Sequence, residues 1–132
     1  MSYFFPEQSV QIFKNSDFDL EPDRQLNIKN KGLVMLLFVD GSVTSNKLKE
    51  IWNCLSKEVV GVKYGICDCL TELNIAQTIS KEINNPHSQI RYLKSCKIPF
   101  ILIYKNGIPQ DCYRGVYSKL NIFDYSLKLA TY

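Results

Sequence analysis

Five cysteines, Cys54, Cys67, Cys69, Cys96 and Cys112, and a single histidine, His87, carry the versatile side-chain chemistry of this 132-residue chain. Thiols exchange disulfides, bind soft metals and act as nucleophiles once ionised. An odd count, with no basic then apolar leader in Met1–Gln8, reads as reduced thiols in a cytoplasmic compartment rather than a disulfide framework. Cys67 and Cys69 fall two apart in a strand-like stretch, so they share a face with Cα atoms roughly 6.5–7 Å apart. That spacing is at or beyond the reach of a disulfide. As zinc ligands the two lack a matching second pair, because neither His87 nor Cys96 completes a known spacing. They read instead as small buried apolar residues. Cys54 and Cys112 carry no pattern, and His87 sits in an Asn-Pro-His-Ser loop that faces solvent.

The remaining composition excludes several classes of function. The net charge of +3 is spread along the chain, without a run of basic residues or a glycine-rich phosphate loop, so nucleic acid is not an expected partner. The longest apolar run, Leu33–Val39, is far below the ~20 residues that span a bilayer. A hydrophobic fraction of 45% with 22% charged residues is that of one globular domain with a core.

The elements that must position these side chains follow from periodicity. Ser9–Phe13 predicts a short strand and Lys14–Asp19 a short helix, while the polar Leu20–Gly32 stays unassigned. Leu33–Val39, apolar on both faces, predicts a strand in the middle of a sheet. Leu48, Ile51, Trp52 and Leu55 give helical spacing over Lys47–Val59, with Trp52 in the core. Val60–Cys69 is a second strand and Leu70–Ile83 a second helix, ended by Asn84-Asn85-Pro86-His87. Ile90–Cys96 reads as a helical turn or a loop. Pro99–Tyr104 is a strand, Asn106-Gly107 centres a hairpin, and Asp111–Tyr113 returns as its partner. Leu120–Ala130 is a final amphipathic helix. The order β-α-β-α-β-α-β-β-α makes an α/β layer structure with a mixed sheet.

Two stretches of this sequence resemble thioredoxin and the protein disulfide isomerase domains. Ile98-Pro99-Phe100-Ile101-Leu102-Ile103-Tyr104-Lys105-Asn106-Gly107, followed by Gly115, is similar to the family's Ile/Val-Pro-Thr strand, Lys-Asn-Gly hairpin and later glycine. Leu37–Trp52 lies without a gap over the isomerase stretch Phe-Tyr-Ala-Pro-Trp-Cys-Gly-His-Cys-Lys-Lys-Leu-Lys-Pro-Ile-Trp, and Val10–Phe13 with Phe18 looks like the family's first strand. The resemblance covers residues 9 to 130. It implies a thioredoxin-like fold over residues 9–132, a central mixed sheet flanked by helices, a cis bond at Ile98–Pro99, and an N-terminal arm over residues 1–8. The stretch between Asp68 and Pro99 is longer than in a minimal thioredoxin. With the Tyr113-Arg114-Gly115 sequence, it resembles thioredoxin-like proteins of large nucleocytoplasmic DNA viruses.

What the resemblance implies for chemistry is a loss. The family reaction needs a thiolate at a helix N-terminus, where the helix dipole lowers its pKa, and a second cysteine three residues on. Ser42-Val43-Thr44-Ser45 stands in that place, and a serine hydroxyl stays protonated at neutral pH and forms no disulfide. The family's buried carboxylate falls at Leu36, its tryptophan before the first cysteine at Gly41, and its helix proline at Glu50. Ser42 and Ser45 suit helix N-capping instead.

No catalytic residue, cofactor or metal is therefore expected. What remains is the peptide-docking surface that the family builds before the cis-proline by strand addition, here Ser42, Val43, Thr44, Ser45, Ile98 and Pro99, with Cys96 and Gly115 beside them. The expected role is a redox-inactive structural or protein-binding module, with a capsid or virion component or a second copy of the chain as partner. A small-molecule substrate is not expected. The apolar Tyr3-Phe4-Phe5 of the arm packs on its own domain or on a partner. The competing reading is an atypical thiol oxidoreductase that uses Cys96, the thiol nearest Pro99, or the Cys67/Cys69 pair.

Overall fold

The computed structural model describes residues 10–19, 26–84, 93 and 97–131. The N-terminal arm of residues 1–8, His87 and Cys96 lie outside them. Leu33–Val39 forms strand β4 at the centre of a five-stranded sheet, as its unbroken apolar run predicts. On one side it pairs in parallel with β5 (Lys63–Asp68), which pairs in parallel with β1 (Gln11–Phe13). On its other side it pairs antiparallel with β6 (Phe100–Lys105), followed by β7 (Ile108–Cys112). The order is β1-β5-β4-β6-β7.

Side chains alternate across β4, so one run of residues fills two cores. Val34, Leu36 and Phe38 face a layer with Phe13, Ile75, Ile79, Leu102 and Tyr104. Met35, Leu37 and Val39 face the other layer, with Leu48, Trp52, Leu55, Tyr64 and Ile122. Helix α1 (Val43–Glu58) and helix α3 (Lys119–Ala130) cover this second face, and α2 (Leu73–Asn84) covers the first. The sole tryptophan, Trp52, is fully buried and donates from Nε1 to the Met35 carbonyl at 3.3 Å.

Several boundaries move from the expected ones for local reasons. Helix α1 begins at Val43 rather than Lys47, because its first turn, Val43-Thr44-Ser45-Asn46, is held by an N-cap instead of by an apolar stripe. The short helix expected over Lys14–Asp19 is a single 3-10 turn, Asn15–Asp17, closed by the Lys14 N–H donating to Asp17 Oδ2 at 2.8 Å. Within the unassigned polar stretch, β3 (Asn27–Ile28) pairs antiparallel with β2 (Phe18–Asp19) as a separate ribbon. The β6–β7 hairpin turns through Asn106 and Gly107, with φ of 51° and 88°, the left-handed pair that a two-residue turn requires. That turn anchors the segment after the ribbon. Ile28 N donates to Gly107 O at 2.9 Å, Asn106 N to Gly32 O at 2.9 Å, and Gly32 N to Asn106 Oδ1 at 2.9 Å.

The register fixes what meets at the sheet's other end. Phe38 pairs with Phe100, so the residues that leave β4 toward α1 emerge beside those that enter β6. Asp40–Ser45 and Ile98–Pro99 are thereby brought to one end of the sheet, together with the end of β5 at Asp68.

Candidate functional site

At that end, Ser42 and Ser45 are tied into a closed network around Asp40. Ser42 is the N-cap of α1, in extended backbone geometry (φ −73°, ψ 164°), and its hydroxyl accepts from Ser45 N at 3.1 Å. The Ser42 N–H donates to Asp40 Oδ1 at 2.9 Å, an Asx turn across Gly41. Ser45 Oγ donates to the same carboxylate oxygen at 2.9 Å and accepts from Asp40 N at 3.0 Å. Ser45 is completely buried. The Ser42 hydroxyl and N–H and the Ser45 hydroxyl gathered on Asp40 hold its carboxyl below the ordinary aspartate value of 3.8. A carboxylate so satisfied also lies favourably at the positive end of the helix. Both hydroxyls thus serve helix initiation, while Val43 between them is 73% exposed. Asp40 escaped the sequence reading as a site residue; its signal was the Asp-Gly-Ser turn before a helix.

Across the sheet end, the Ile98–Pro99 peptide is cis. Both residues lie beyond the last pair of the β4–β6 ladder, Phe38–Phe100. Tyr117 Oη lies 3.4 Å from the Pro99 carbonyl, to which it donates. Next to Pro99 opens a cleft of about 470 Å³, lined by Lys97, Phe100, Cys112, Tyr113, Arg114, Gly115 and Tyr117. The Tyr113 and Tyr117 rings stack at 6.1 Å, and Tyr113 Oη donates to the Val116 carbonyl at 2.7 Å. A Cβ on Gly115 would stand 2.5 Å from Tyr113 Oη, so the glycine is what lets this loop close over the phenol. Lys97 and Tyr117 were not singled out from the sequence, and Tyr113 and Arg114 entered only through a resemblance, not as site residues; the turn from β7 to α3 that gathers three of the four has no periodic pattern.

The other sequence candidates separate. Cys67 is fully buried on β5 and Cys69 nearly so, two residues on. The neighbouring Cys69 thiol and then burial push the Cys67 thiol far up, the opposite of what a nucleophile needs. Cys112 is buried on β7, and its thiol faces the Tyr113 carbonyl at 3.7 Å. Cys54 lies exposed on α1. Leu36 is fully buried against the α2 layer, and Glu50 is exposed on α1. Among the described residues, no three His, Cys, Asp or Glu side chains gather as metal ligands would, and no helix is long and apolar enough to cross a membrane.

No family model and no curated protein matches the sequence. Solved structures do match in fold. The zinc-bound form of human ERp44 superposes with a TM-score of 0.62 at 20% identity, over 91% of this chain and 30% of that one. The J-Trx1 fragment of ERdj5 gives 0.64 at 17% identity, over 94% of this chain and 51% of that one. The chain thus spans about a third and about half of the length of these two larger chains. The thioredoxin of Malassezia sympodialis, Mala s 13, gives 0.63 at 15% identity over 99% and 98% of the two chains. With a central mixed sheet flanked by three helices, the chain has a thioredoxin-like fold.

Proposed function

We propose that this chain is a redox-inactive thioredoxin-like module that binds an extended segment of another protein at the sheet end formed by Ser42–Ser45 and Ile98–Pro99. One observation carries the reading. Ser45, at the place where the resemblance puts the family's second cysteine, is fully buried and exchanges two hydrogen bonds with Asp40. Its partner Ser42 is the helix cap. Both positions are given over to starting α1, and the carboxylate they meet, Asp40, has its pKa lowered and is too weak a base to ionise a hydroxyl. The first helical turn between them is exposed at Val43, and Ile98–Pro99 stand past the end of their ladder. Backbone left beyond a ladder is what strand addition uses. On the viral resemblance the partner is a capsid or virion component; light scattering separates this from a second copy of the chain.

Two measurements test the proposal. In a dithiothreitol-driven insulin reduction assay, the protein is expected to give the rate of the dithiothreitol blank; turnover above it overturns the inactive reading. Adding an unfolded, carboxymethylated protein should shift amide resonances of Val43, Thr44, Ile98 and Gly115. Shifts confined elsewhere, or none, overturn the docking reading.

A further inference from the structure

We infer that the segment docked beside Pro99 carries an acidic side chain, received between Lys97 and Arg114 in the cleft next to the cis peptide. This rests on the docking reading above and gives it a chemical class. The cleft is lined by two cations and three aromatic rings, and by no carboxylate among the described residues. Lys97 and Arg114 are both exposed. Arg114 also has a contact within the chain, but a guanidinium carries five N–H donors and can serve a ligand carboxylate as well. The aromatic wall is fixed before anything binds: Tyr113 Oη is committed to the Val116 carbonyl and Tyr117 Oη to the Pro99 carbonyl. Burial pushes the Tyr113 phenol up, so the wall adds no negative charge at neutral pH.

The carboxylates near the cleft have partners of their own: on β7, Asp111 Oδ1 accepts from the Cys112 N–H at 2.8 Å, and two others lie on the far side of the sheet end. Asp40 is closed into the α1 cap, and Asp68 Oδ1 accepts from Leu70 N at 2.9 Å. The lining of the cleft itself carries Lys97 and Arg114 and no carboxylate among the described residues, at the point where the ladder stops and an extended chain would run. Exposed Val116 and Leu120 flank the cleft in sequence and favour apolar neighbours around the acidic residue. Two exposed cations beside stacked rings fit one or two side-chain carboxylates better than the long charged path of a nucleic acid.

Selection from random peptides displayed on phage tests this directly. The protein is expected to enrich peptides rich in Asp or Glu, and the Lys97→Gln/Arg114→Gln variant to lose that bias. An enriched acidic peptide should bind the variant about tenfold more weakly, the loss of a charge-assisted contact. Enrichment without acidic bias, or a bias that survives in the variant, overturns the inference and leaves docking intact. No enrichment above a support without protein overturns the docking reading itself. Both variant positions are exposed, and circular dichroism confirms that the variant is folded.

Discussion

At the scale of single residues, the Asp40–Ser42–Ser45 network makes separable predictions. Ser42→Ala removes an N-cap acceptor and should cost about 1 kcal/mol in urea unfolding. Ser45→Ala removes a fully buried hydroxyl and both of its hydrogen bonds to half-buried Asp40, at a cost of about 1–3 kcal/mol, so it should be the more damaging change. The pH dependence has a defined sign. Asp40 binds its proton less readily folded than unfolded, so its contribution is fully present above the ordinary aspartate value of 3.8 and is lost as pH falls through the lower folded value. Because the Ser42 hydroxyl is the leading cause of that shift, Ser42→Ala should flatten the loss of urea midpoint below pH about 4. An unchanged acid slope would show that the carboxylate is not held as described. The thiols predict an order of reactivity. Among the described thiols, iodoacetamide labelling read peptide by peptide should mark Cys54 first, with Cys67 and Cys69 marked only on unfolding. Early labelling of Cys67 would contradict its burial.

At the scale of elements, the tightest constraint lies between β1 and β5. Gly65 pairs with Gln11 and Leu36, and a Cβ there would collide with the Phe13 ring. Phe13 is fully buried and meets Phe18 edge-on at 6.1 Å, so it has little room to retreat. Gly65→Ala should therefore cost about 1–3 kcal/mol by overpacking, measured by urea unfolding; a neutral change would mean that β1 can move away from the sheet. Elements with strong patterns were legible in the sequence. Leu33–Val39 is apolar throughout and has the bounds its run predicts, and Asn106-Gly107 is the predicted turn. The misses share a cause. The β2–β3 ribbon is two residues on each strand, too short for alternation to register, and it depends on contacts such as Ile28 N to Gly107 O from far along the chain. The first turn of α1 is polar, so periodicity placed the start at Lys47; the cap residue Ser42 held the information. For the site, the identity of Ser42, Ser45, Ile98 and Pro99 was readable by resemblance. The Asp40 network and the Lys97–Arg114 cleft depend on register and on loop closure over Tyr113, which no local pattern encodes.

At the scale of the whole molecule, the two cores are not independent, because both are built on β4. Val34, Leu36 and Phe38 belong to the α2 side and Met35, Leu37 and Val39 to the α1–α3 side, and all six are fully buried. Melting either layer exposes alternate residues of one strand and removes the packing that holds its neighbours in place, so neither layer is expected to persist alone. Trp52 reports on this. It lies in the α1–α3 layer, meets Tyr64 edge-on at 5.7 Å, and is the only tryptophan in the chain. The α2 layer contains no tryptophan but contributes to the far-ultraviolet signal through helix Leu73–Asn84. Urea transitions followed by Trp52 fluorescence and by far-ultraviolet circular dichroism should therefore coincide in midpoint and slope, as an all-or-none transition requires. Phe38→Ala, a change confined to the α2 side, should move both curves together by about 3–5 kcal/mol. If it shifts the circular dichroism curve while leaving Trp52 fluorescence in place, the shared strand does not couple the layers. The α1 cap and the Ile98 end of the site would then be held by separate layers, since α1 packs on the Trp52 side and Ile98 on the α2 side.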